Sequence, residues 1–281
     1  MDIFDAARSG NIPRIKTLLQ EGVDINVKQG YWTPLLRAIR YSGETSSFDT
    51  VKFLLDNGAN MNYTTDNEVG GEKAIHFAAR YGTPEVINLL LDKGANINDI
   101  TFYKKTPLML ASLQQRIDNV ILLLNRGADI NIKEKQGRTA LLYAGTLEIV
   151  KLLLDKGADP FIIYKGLNEN RETVEKTIFD SCTSNECRKL VSEYMWKSLL
   201  EADKKLLRDL SEQRKDVLKE LWELIIFRKR QQQLCKNLND DKNKYILYFF
   251  AIELGIPVTE EMTKTQLCSI ISNQLASGRK Y

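Results

Sequence analysis

A chain of 281 residues, 43% hydrophobic and 27% charged, carries enough apolar side chains for a sizeable core, which excludes a disordered polymer. Its longest apolar runs, Leu221–Phe227 and Tyr245–Ile252, fall short of the roughly 18 residues a membrane-spanning helix needs. No basic stretch followed by an apolar run opens the chain, so a soluble, intracellular, cytoplasmic protein without membrane contact is expected. The net charge of +3 is too slight to mark a nucleic-acid binder by itself. Four cysteines (Cys182, Cys187, Cys235, Cys268) and a single histidine show no metal-ligand spacing. Four reduced, packed thiols and no cofactor are expected.

Repeats dominate the first half. Gly22-Val-Asp-Ile-Asn26, Gly58-Ala-Asn-Met-Asn62, Gly94-Ala-Asn-Ile-Asn98, Gly127-Ala-Asp-Ile-Asn131 and Gly157-Ala-Asp-Pro160 recur at spacings of 36, 36, 33 and 30 residues. Each follows a leucine-rich stretch, such as Val51–Leu55, Ile87–Leu91 or Val150–Leu154, whose apolar residues three and four apart line one helix face. The glycine just past each stretch suits the left-handed residue that ends a helix. Thr33-Pro-Leu-Leu-Arg-Ala38, Thr106-Pro-Leu-Met-Leu-Ala111 and Thr139-Ala-Leu-Leu-Tyr-Ala144 open a preceding helix, with Thr as N-cap and Pro at the first helical position where it is present. Lys73-Ala-Ile-His-Phe-Ala78 is the same element without Thr and Pro.

These segments resemble the ankyrin repeat, a turn and two antiparallel helices per unit, over residues 1 to about 160. The resemblance implies an all-α solenoid with short β-turn or hairpin fingers, in which each helix pair hides its apolar face against the next. Residues 1–159 make five units, the first an N-terminal cap, and 160–197 is a divergent capping repeat with Thr177-Ile-Phe-Asp180 in place of the Thr-Pro motif. Three departures stand out. Extra residues lie between Ser42 and Asp49, the turn between Tyr63 and Gly71 is enlarged, and the helix opening at Thr139 is shorter by nearly one turn.

Catalysis finds little support. His76 stands where ankyrin repeats commonly carry a histidine that bonds neighbouring turns, and no second histidine or phosphate-binding glycine loop accompanies it. A non-catalytic chain is expected. The ankyrin arrangement puts the residues after the paired alanines, and the turn tips, on the concave side. Aligned units place Arg8, Arg40 and Arg80 in one column with Ser9, Tyr41 and Tyr81 beside them, and put Tyr31, Trp32, Phe102 and Tyr103 at the tips. Guanidinium groups beside phenol rings suit an acidic partner, and large aromatics are frequent interface anchors. The competing reading of the arginines is a solvated face.

The C-terminal third carries the whole charge surplus, with 21 Lys and Arg against 18 Asp and Glu in residues 160–281. Residues 198–236 read as a long amphipathic helical segment whose leucines at 199, 206, 210, 221, 224 and 234, with Val217, lie near heptad spacing. That stripe suits either packing on its own domain or self-association through 199–234. Arg228-Lys229-Arg230 offers a nucleic-acid contact or nuclear signal, or simply matches the cation preference of a helix C-terminus. In 237–281, a helix ending Leu254-Gly-Ile-Pro257 and a second opening at Thr263-Lys264 resemble a SAP-like helix–extension–helix; an F-box-like ending competes, though its spacing to Leu267 is wrong.

The function expected is a protein–protein interaction scaffold or adaptor, of the viral or intracellular-bacterial ankyrin type, that binds a macromolecular partner through the concave ankyrin face. The alternatives are a nucleic-acid-associated protein using 228–230 and the C-terminal module, with nuclear localisation, and an F-box-like adaptor to a ubiquitin ligase.

Overall fold

The structure, a computed structural model, describes residues 1–66, 70–162, 164–167, 171–182, 184–194, 248, 251, 257–259 and 261–276. They fall in two compact units, Met1–Glu175 and Lys176–Tyr281.

In the first unit five helix pairs follow one another: α1 (Ile3–Arg8) and α2 (Ile12–Gln20), α3 (Pro34–Arg40) and α4 (Phe48–Asp56), α5 (Ala74–Tyr81) and α6 (Pro84–Asp92), α7 (Pro107–Leu113) and α8 (Ile117–Asn125), α9 (Ala140–Tyr143) and α10 (Leu147–Asp155). Two of the three threonine openings cap their helices as expected, while Thr139 makes no capping bond and its buried hydroxyl has no partner. Thr33 Oγ1 accepts from Leu36 N at 3.2 Å and Thr106 Oγ1 from Met109 N at 3.3 Å, each filling one of the donors a helix start leaves open. The first helices pack in the row α1, α3, α5, α7, α9, and the second helices continue a parallel row α4, α6, α8, α10. Ala6, Ala7, Ala38, Ala78, Ala79 and Ala111 are fully buried and admit close approach in the first row, while Ile15, Val51, Leu54, Ile87, Leu90, Val120, Leu123 and Leu153 fill the space between rows. Each such large side chain contributes about 1.5–3 kcal/mol by burial. The fold is the all-α solenoid that the repeat pattern implies.

Polar ties join successive units. Asn26 Oδ1 accepts from Asn60 N at 2.7 Å, Asn98 Oδ1 from Asp129 N at 2.9 Å and Asn131 Oδ1 from Asp159 N at 3.0 Å. His76 plays the structural part expected of it. Its Nδ1 accepts from Lys73 N at 3.1 Å, so the proton sits on Nε2, which meets the Asp99 carbonyl at 3.0 Å. Burial holds its pKa down at about 4, against the partial opposition of that Asp99 carbonyl.

The departures have local causes. The extra residues before α4 fold back on the first unit, with Thr45 Oγ1 donating to the Arg8 carbonyl at 2.8 Å. The enlarged turn is closed by Thr65 and Glu72, whose backbones pair at 3.0 Å and whose second link is Glu72 N to Thr65 Oγ1 at 2.7 Å. Gly71 in that turn has φ +75°, and a Cβ there would stand 2.5 Å from the Phe102 ring, so only glycine fits. Helix α9 has four residues where α7 has seven.

Beyond α10, β1 (Tyr164–Leu167) pairs with β2 (Thr173–Lys176), and the boundary between the two units falls at the end of β2. The expected cap at 160–197 is therefore divided there. In the second unit α11 (Ile178–Ser181) starts at Thr177, whose N–H meets Asp180 Oδ2 at 2.8 Å. Residues 185–194 are helical.

The cysteines correct an expectation. Cys182 and Cys187 form a disulfide with their Cα atoms 5.6 Å apart, and Cys268 is disulfide-bonded as well. Cys182 just after α11 and Cys187 in the helical residues 185–194 stand within bridging reach, which their sequence spacing alone did not suggest. Near the C-terminus, the helix Lys264–Ala276 starts in the expected place, with Thr263 and Gln266 bonded reciprocally, Thr263 N to Gln266 Oε1 at 2.7 Å and Gln266 N to Thr263 Oγ1 at 3.3 Å. Ala251, Leu267, Cys268 and Ile271 form a small buried cluster. The heptad stripe at 199–234 and Arg228, Lys229 and Arg230 lie outside the described residues.

Candidate partner-binding site

The aligned column becomes an interleaved stack. Tyr41 caps α3 one turn beyond Arg37, and Arg8 at the end of α1 lies over its ring, 4.6 Å from the centroid. Arg40 stands between Tyr41 at 5.3 Å and Tyr81 at 4.1 Å, and Arg80 follows at 5.6 Å from Tyr81. Arginine and tyrosine therefore alternate across three units, each cation near a π face. The three arginines are not alike. Arg8 is exposed, whereas Arg40, Tyr41, Arg80 and Tyr81 are half-buried. Arg40 pairs with Glu44 at 3.6 Å on the solvent side, and Arg80 pairs at 2.9 Å with Glu72, which is only 3% exposed. Burial pushes the Glu72 carboxyl up, with Arg80 and then Lys105 opposing.

The tip aromatics divide into two groups. Tyr31 and Trp32 are half-buried, with rings 4.8 Å apart, and Trp32 meets the buried Phe77 edge-on at 5.7 Å. Phe77 in turn lies 5.9 Å from Tyr81, so the Trp32 cluster is continuous with the arginine–tyrosine stack. Phe102 and Tyr103 are exposed at the next fingertip and lie over Gly71 and Gly70. Phe102 N donates to the Gly70 carbonyl at 2.8 Å, and the Tyr103 carbonyl accepts from Lys135 N at 3.2 Å.

Several residues escaped the sequence reading. Arg37 stacks on Trp32 at 4.3 Å. Further along, Lys105 and Arg138 each approach the Tyr143 ring at 5.1 Å, and Arg138 pairs with the buried Glu134 at 3.3 Å. Burial pushes the Tyr143 phenol up to about 12. Arg37, Phe77 and Tyr143 each stand four residues after a helix-opening position, a helical spacing that would have placed them on the face already singled out.

Among the described residues no group of three His, Cys, Asp or Glu side chains is placed to hold a metal ion, and no helix is long and apolar enough to cross a membrane.

The profile of "Ankyrin repeats (3 copies)" matches residues 3–65, 46–134 and 103–164. A putative ankyrin repeat protein of Acanthamoeba polyphaga mimivirus is 39% identical over 77 residues, which cover 25% of this chain and 48% of the relative. The chain thus spans about half the length of the curated relative it matches, and that relative is viral. Ankyrin repeats are a protein–protein interaction module from a generally non-catalytic family. With the motif matched along more than half of its length and the helix pairs stacked as the motif requires, the chain belongs to the ankyrin-repeat family.

Proposed function

We propose that the chain is a non-catalytic scaffold that holds a protein partner against the face built by Arg8, Tyr41, Arg40, Tyr81 and Arg80, with Trp32 and the Phe102–Tyr103 fingertip as flanking anchors. The observation that carries this reading is the alternation of guanidinium and phenol groups across three successive units. Stacking that no single helix pair needs for its own core spends side-chain freedom in advance, and a pre-organised row of donors and rings is what an interface uses. The family supports a protein as the ligand.

The site can be mapped by placing a photo-reactive phenylalanine at Tyr41 or at Ile121, which is exposed on α8 in the other helix row. A partner cross-linked from Tyr41 and not from Ile121 supports the reading. Cross-linking from Ile121 alone contradicts it.

A further inference from the structure

Residues 1–159 contain eight arginines. Five meet a carboxylate: Arg14 with Glu21, Arg40 with Glu44, Arg80 with Glu72, Arg126 with Asp92 and Arg138 with Glu134. Arg116 donates to the Gly82 carbonyl at 2.9 Å. Arg8 and Arg37 differ. Among the described residues neither guanidinium meets a carboxylate or a carbonyl, and each lies on an aromatic ring instead, Arg8 on Tyr41 at 4.6 Å and Arg37 on Trp32 at 4.3 Å. Arg37 is half-buried, and its Nε is shielded from solvent with no acceptor.

Their ring partners flank one helix, Trp32 just before α3 and Tyr41 at its C-terminal cap. Tyr41 N donates to the Arg37 carbonyl at 3.3 Å, so the ring beneath Arg8 stands one helical turn from Arg37. A ring occupies only the face of a guanidinium and leaves its in-plane N–H fork unused, and that fork matches a carboxylate bidentately. A shielded donor without an acceptor carries a desolvation cost. Nε is the one shielded atom of this guanidinium, so an incoming carboxylate meets its Nη groups.

We propose that Arg37 on Trp32 and Arg8 on Tyr41 form a paired carboxylate subsite, and that the occupant is an acidic segment of a polypeptide partner. This rests on the reading of the stacked face as the partner site. A nucleic-acid strand fits less well. It brings a charge at every nucleotide, and the cations that continue the row are already met by Glu44, Glu72 and Glu134. Two free guanidinium groups among neutralised neighbours suit discrete carboxylates.

The test selects binders from a display library of random short peptides on the full-length protein. The expected sequences are enriched in a pair of acidic residues. Their affinity should fall at least tenfold, about 1.4 kcal/mol, for Arg8→Ala and for Arg37→Ala. Arg37→Lys should fall nearly as far, because an ammonium keeps the charge and loses the planar fork. Arg8 is exposed, so its variant folds whatever happens at Arg37, and melting curves check the others. Peptides without acidic residues, equal affinity for the arginine variants, full retention by Arg37→Lys, or an empty selection would each overturn the inference. So would preferential binding of a labelled single-stranded oligonucleotide that Arg8→Ala abolishes. If neutral peptides bind and lose affinity with Tyr41→Ala or Tyr81→Ala only, the stacked face is still the partner site and the carboxylate subsite alone is wrong. If the selected peptides ignore all four positions, the reading of the face falls too.

Discussion

Arg80 Nη2 lies 2.9 Å from Glu72 Oε1, and Glu72 is buried. This pair ties the helix α5 to the enlarged turn that precedes it and gives Arg80 a structural duty that Arg8 does not have. Arg80→Ala should destabilise the protein by about 3 kcal/mol, the order found when one partner of a buried pair is removed. Arg8→Ala should stay within about 0.5 kcal/mol, as for an exposed substitution. Thermal melts of the two variants check this, and equal melting temperatures would show that the pair carries no weight.

The buried imidazole of His76 makes stability depend on pH. Its folded pKa is about 4 against an ordinary 6.5, so between these values the unfolded chain binds the proton that the folded chain refuses. The contribution is present in full above pH 6.5 and is lost as pH falls from there toward 4, up to about 3 kcal/mol. His76→Gln, which keeps a donor and an acceptor, should flatten this slope when urea midpoints are compared across that range. An unchanged slope would mean that His76 binds its proton equally well in the folded and unfolded chain.

Gly71→Ala should lower stability by roughly 1–3 kcal/mol, because φ +75° strains an L residue and the added methyl enters the Phe102 ring. Phe102→Ala in the same chain should recover part of the loss by opening that space. A double-mutant cycle in denaturant reads the coupling, and strict additivity would exclude the contact.

Much of the fold was legible because the repeat writes it more than once. Thr33 and Thr106 cap helices by the same bond, and the buried alanines and leucines recur at the repeat spacing, so aligning units gave both helix rows and the column of Arg8, Arg40 and Arg80. Pairings across units were not legible. Glu72 reaches Arg80 only because the enlarged turn folds onto Thr65, and Arg37 lies on Trp32 only because the finger at Gln29 and Trp32 closes on itself. The Cys182–Cys187 disulfide was hidden for a similar reason, since no spacing motif marks two thiols that the fold brings within bridging reach.

A fragment of residues 1–175 should fold by itself, because the helix rows of this unit are built from neighbouring pairs. Circular dichroism should show a helical, cooperatively melting fragment. A disordered one would make the second unit part of the core.

In the proposed function the alternating arginines and tyrosines hold the partner. The cross-linked partner, once identified, is titrated into the parent chain and into the Arg8→Ala, Arg40→Ala double variant. These substitutions leave the Arg80–Glu72 pair in place. The expected result is at least a tenfold rise in Kd, about 1.4 kcal/mol, with the melting temperature nearly unchanged. An unchanged Kd for that variant, with binding lost instead when residues 198–281 are removed, would contradict it.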